Sequence, residues 1–141
     1  VKDANNMGAA MAPAAYDTLT AHFEDLGRSP ADYDLILTGD LAAVGAEILA
    51  DFFRRDGVEL TNYNDCGLMI YSREEQDVHA GASGCGCAGS ILTGHILNGM
   101  RAGRWNRVLF AATGALLSTV STQQGESIPS ICYAVTVSNT K

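Results

Sequence analysis

The chain has 141 residues and a mass of 14.8 kDa, the size of one domain or of half a larger one. Hydrophobic residues make up 47% and charged residues 18%, which excludes disorder, and 15 glycines without a fixed spacing exclude a collagen-like repeat. The net charge of −7 and pI of 4.7 argue against nucleic acid, whose phosphates demand basic surface.

The charge is uneven. Residues 1–70 hold 12 acidic and 4 basic side chains (−8), and residues 71–141 hold 4 acidic and 5 basic ones (+1). An anionic ligand is better tolerated by the second half, near Arg101, Arg104 and Arg107, unless these arginines form a solvated helix end. No apolar run reaches the roughly 18 residues of a membrane-spanning helix. The start at Val1, without an initiator methionine or signal-peptide core, leads us to expect a chain cut from something longer.

Met7 to about Phe23 has helical spacing behind a cap at Asn5 or Asn6, and Pro13 predicts either a kink or a start near Ala12. Gly27 stops this helix, and residues 29–32 make a turn. Tyr33–Thr38 reads as a buried strand, and Leu41–Arg55 as an amphipathic helix ended by Gly57. Asn62–Asp65 is polar and turn-like, and the apolar run Leu68–Tyr71 predicts another strand. A helix is expected from Cys87 to about Met100, closed by Gly103. Val108–Thr113 and Ile131–Val137 read as strands, with a loop or hairpin connection over 114–125. The alternation favours a layered α/β domain.

The unusual stretch is His79 to Ser90, where glycine, alanine and serine run into a helix start. Such a stretch suits an anion at unpaired backbone N–H groups, or it packs a central helix closely. His79 fits a general base, an oxyanion donor or a structural hydrogen-bonding group. Cysteines 66, 85, 87 and 132 match neither zinc-ligand spacing nor a disulfide framework, so packing in a reducing, intracellular compartment is expected, with no structural metal. Cys85 or Cys87 at a helix start would have a lowered pKa, yet no Cys–His signature accompanies them. Thr113-Gly114 ends a buried strand where ligand sites of α/β folds lie.

Several motifs carry a resemblance: Asn5–Asp17, Thr38–Leu41, Asp65–Tyr71, Gln76–Cys87 and Gln124–Pro129. Together they closely resemble the stage V sporulation protein AD family, of the thiolase-like superfamily, over essentially the whole chain. Members run to over twice this length, so the resemblance implies that residues 1–141 form the C-terminal half. It further implies a thiolase-like half-domain, a mixed five-stranded sheet covered by helices, paired with a similar N-terminal half. The implied function is binding of dipicolinic acid and assistance to its calcium chelate entering spores and leaving at germination. The implied partners are small stage V sporulation membrane proteins at the spore inner membrane, and a homodimer is a further expectation. No cofactor is implied.

His79-Ala80-Gly81-Ala82-Ser83-Gly84 resembles the thiolase histidine loop, with Ala80 in place of the usual proline. Thr113-Gly114 stands where thiolases place their second cysteine, and the nucleophilic cysteine belongs to the other half. The expectation is therefore a non-catalytic protein whose ligand meets His79, Ser83, Gly84, Cys85, Thr113 and Gly114. The alternative is an acyltransferase that draws its nucleophile from the N-terminal half.

Overall fold

The computed structural model describes residues 2–3 and 5–139. Helix α1 (Met7–Leu26) is capped by Asn6, whose side chain accepts from Ala9 N, and it ends at left-handed Gly27. It continues through position 13 rather than starting near Ala12. Pro13 is exposed, while Met11, Ala12, Ala15, Leu19 and Phe23 bury the opposite face; that burial outweighs the one backbone bond proline removes.

A short 3-10 turn (Pro30–Asp32) leads to β1 (Leu35–Thr38), then α2 (Ala42–Arg55), β2 (Tyr63–Asp65) and the single turn α3 (Cys66–Met69). Two expectations fail in this region. Within the polar 62–65 segment Tyr63–Asp65 is a strand, and the apolar run starting at Leu68 begins inside a helix turn. The reason is hydrogen bonding. Asn62 Nδ2 donates to the carbonyls of Pro30 and Tyr33, and Asp65 caps α3 by accepting from Gly67 N.

Helix α4 (Cys85–Ile91) passes through a π-helical turn (Leu92–Ile96) into α5 (Leu97–Arg101). Strand β3 (Arg107–Ala115) follows, then a short helix α6 (Thr119–Gln123) and β4 (Ser130–Ser138). The sheet order is β2-β1-β3-β4, with β1 parallel to β2 and β3, and β4 antiparallel to β3. The class is mixed α/β as expected. The described residues form four strands, not five, and the fourth is an edge.

Strand alternation sends side chains to two cores. Ile36, Leu109, Ala111 and Cys132 face α1 and α2; Leu37, Val108 and Phe110 face Cys87, Ile96 and Met100. Helices α1 and α2 meet at Gly8 and Gly45, where a Cβ on Gly45 would stand 2.6 Å from the Gly8 carbonyl. The second cover is incomplete. Ile131, Tyr133 and Val135 on β4 are exposed, as are Leu116, Leu117 and Val120 in the β3–β4 connection.

Candidate functional site

The site grows from the end of β1. Thr38 is followed by Gly39, whose N–H donates to the Ala111 carbonyl, and then by Asp40. A Cβ on Gly39 would lie 3.2 Å from the Ala88 methyl, so α4 rests directly on this turn. Asp40 reaches across to β3: Thr113 Oγ1 donates to its Oδ1 at 2.7 Å. The backbone N–H of Gly84 makes a long contact of 3.4 Å with the other oxygen.

Beneath Asp40 lies a buried polar network. Tyr63 OH is 2.7 Å from Thr38 Oγ1, and Thr38 donates to Asp65 Oδ1 at 2.6 Å. Asp65 also accepts from the N–H groups of Leu41, Ala42 and Gly67, each at 2.9 Å. Burial pushes the Asp65 carboxyl up, against the lowering effect of these donors, and burial also raises the Tyr63 phenol.

Beside this turn a cleft of ≈ 530 Å³ opens at the C-terminal end of β1, its mainly apolar lining (Met7, Leu41, Val44) set with the polar groups of Asn5, Asn6, Asp40 and Ser83. Loop 80–83 forms one wall. Ala43 N donates to Ala80 O, and Ala82 N donates to Gly67 O.

The expected site residues are only partly gathered here. Ser83 lines the cleft, and Gly84 and Thr113 meet through Asp40. His79 sits in a left-handed conformation (φ 47°), its ring 88% exposed and 3.4 Å from Asp77. Cys85 opens α4, and its side chain lies outside the described residues. Gly114 borders a separate apolar recess with Leu116, Pro129 and Ile131. Arg107 starts β3 and Thr113 stands six residues further, about 20 Å along an extended strand, so Arg107 lies far from the cleft, with Arg101 and Arg104 just before it in the chain.

Asp40 and Asp65 are the residues that composition and spacing do not single out. The available signal is position, since a polar residue just past a buried parallel strand is where α/β domains place binding groups. Three cysteines are buried: Cys66, Cys87 and Cys132. Burial pushes Cys66 up to about 12 and Cys132 up to about 11, and raises Cys87 as well. Among the described residues no three His, Cys, Asp or Glu side chains are grouped to hold a metal ion. No described helix is long and apolar enough to cross a membrane.

Fold and site together define a layered, mixed α/β domain with a cleft at the end of its parallel strands that carries a few convergent polar groups. The sequence model of the stage V sporulation protein AD (SpoVAD) family matches residues 1–138. The chain belongs to that family. It is 50% identical over 136 residues to the stage V sporulation protein AD of Bacillus subtilis (strain 168), covering 96% of this chain and 40% of that relative.

Proposed function

We propose that the chain supplies one wall of a non-catalytic binding site for dipicolinic acid on a thiolase-like half-domain. On this reading it assists the movement of that dicarboxylate and its calcium chelate into spores and their release at germination. The carrying observation is the bond from Thr113 to Asp40. Where an acyl-transferring relative needs a thiol, this chain has a hydroxyl, which supplies no proton near neutral pH and is already committed to a carboxylate. The cleft beside the pair offers Asn5, Asn6 and Ser83 as polar groups, with His79 on the same loop as Ser83.

Charge refines the reading. Asp40 lines the cleft and Arg107 stands at the far end of β3, so a bare dianion meets repulsion. The ligand therefore enters with its charge compensated, as the calcium chelate or against cations from the part of a family-length protein that this chain does not span. That part would supply the second wall. The protein would work peripherally at the spore inner membrane beside small membrane proteins of the same stage.

Calorimetric titration of dipicolinate, with and without calcium, into this chain and into a family-length protein containing it tests the proposal. The family-length protein is expected to bind measurably and the chain weakly or not at all. Equal affinities would overturn the two-wall site. Cleavage of acetoacetyl-CoA above background by the family-length protein would favour the acyltransferase alternative instead.

A further inference from the structure

We propose that Asp65 is the positioning residue of this cleft: one buried carboxylate holds both cleft walls, and with them the placement of Asp40. The inference rests on the reading that the cleft is the binding site. Asp65 is fully buried, and its oxygens are saturated. Oδ1 accepts from Thr38 Oγ1 and Leu41 N; Oδ2 accepts from Ala42 N and Gly67 N. An asparagine has only one acceptor oxygen. Turned one way, its NH₂ group faces the N–H groups of Ala42 and Gly67; turned the other, it faces the Leu41 N–H beside the Thr38 hydroxyl, which must then rotate to accept.

The first wall depends on this carboxylate through Ala42, which is held at φ 56°, a left-handed conformation that a residue with a Cβ adopts only when its surroundings fix it. Its N–H points to Asp65. On the other side Gly8 presses against the Leu41 carbonyl, where a Cβ would come within 2.1 Å. The turn carrying Asp40 is thus clamped between Asp65 and α1.

The second wall hangs from the same group. Gly67 donates to Asp65 and accepts from Ala82, and Ala43, next to Ala42, donates to Ala80. Loop 80–83 is tied at one point to Gly67, which Asp65 holds, and at the other to Ala43, the neighbour of the Ala42 that Asp65 holds. A purely structural carboxylate would stabilise the domain evenly. A positioning one controls amides it does not itself touch, namely those of Ala43 and Ala82.

Amide hydrogen exchange on the chain, compared between Asp65→Asn and Thr38→Val, separates the two roles. Thr38→Val disturbs the same buried network yet leaves the three backbone donors their acceptor. In Asp65→Asn the protection of Ala43 and Ala82 is expected to fall by roughly tenfold or more relative to Leu109 in the core, with no such selective loss in Thr38→Val. The same change in the family-length protein is expected to weaken calcium dipicolinate by roughly tenfold in a calorimetric titration. Equal exchange patterns in the two variants would overturn the proposal.

Should Asp65→Asn fail to fold, adding Ala42→Gly relieves the left-handed residue. A refolded double variant with Ala43 and Ala82 unprotected supports positioning. A double variant that stays unfolded assigns Asp65 to general stability and overturns the proposal. Absence of binding heat in the unmodified family-length protein overturns the binding reading alone, and exchange still decides the role of Asp65.

Discussion

Thr113 and Asp40 join the ends of two neighbouring parallel strands, the hydroxyl of one donating to the carboxylate of the other at 2.7 Å. Thr113→Val keeps the shape and removes the donor. We expect a loss of about 1 kcal/mol, the usual net value of such a bond, in a urea unfolding titration. No measurable loss would mean that Asp40 finds an equal partner in water.

His79 should separate stability from binding. Its ring is exposed and its described partner Asp77 equally so, which predicts that His79→Ala changes unfolding free energy by less than about 0.5 kcal/mol. In the family-length protein the same change is expected to weaken dipicolinate by about tenfold, if the ring folds onto a ligand carboxylate at the rim. Unchanged affinity would remove His79 from the site.

Two aspartates give opposite pH signs. Asp34 accepts from the N–H groups of Asn106 and Arg107, which hold its carboxyl below the ordinary 3.8. Its stabilising contribution is present above that value and fades as pH falls through the lowered folded value. Burial raises Asp65 above 3.8, so between its unfolded and folded values the native state binds more protons, and stability through Asp65 falls as pH rises. Carboxyl carbon NMR across an acid titration should place the Asp34 midpoint below 3.8 and the Asp65 midpoint above it. The reverse order would contradict both assignments.

The buried thiols should be inert. With Cys66 pushed up to about 12 and Cys132 up to about 11, little thiolate exists at pH 8, and access is closed in any case. Iodoacetamide followed by peptide mapping is expected to leave Cys66, Cys87 and Cys132 unmodified in the native chain and to label all three in denaturant. Rapid native labelling at any of them would show local opening.

The crossing of α1 and α2 leaves no room at Gly45. Gly45→Ala places a methyl 2.6 Å from the Gly8 carbonyl, so the helices must separate, at a cost of roughly 1–3 kcal/mol. Thermal unfolding measures it. A variant as stable as the original would mean that the helices part freely.

Much of the architecture is legible in the sequence because it follows apolar periodicity. The helices at 7–26 and 42–55 and the strands around 36, 109 and 134 all lie where the spacing predicts. Periodicity fails where polar side chains do the structural work. Tyr63–Asp65 reads as a turn because its residues are polar, yet Thr38 and the turn after β1 depend on those same polar groups. The run starting at Leu68 looks like a strand until the Asp65 cap is seen. At the candidate site, Ser83, Gly84 and Thr113 are recoverable from the glycine-rich loop and the strand end. Asp40 and Asp65 are not, because their importance lies chiefly in contacts between residues 23 to 73 positions apart.

The bare side of β4 has a consequence for how the chain behaves in a tube. Ile131, Tyr133 and Val135 project from an edge strand, with Leu116, Leu117 and Val120 in the adjoining connection. An uncovered apolar edge invites copies to stick, and the net charge of −7 holds them apart. That repulsion is long-ranged in dilute buffer but shrinks to about 3 Å in molar salt. Colloidal stability should therefore fall as sodium chloride is raised, with light scattering increasing before any loss of helical circular dichroism. A single lysine at Tyr133 should delay that onset.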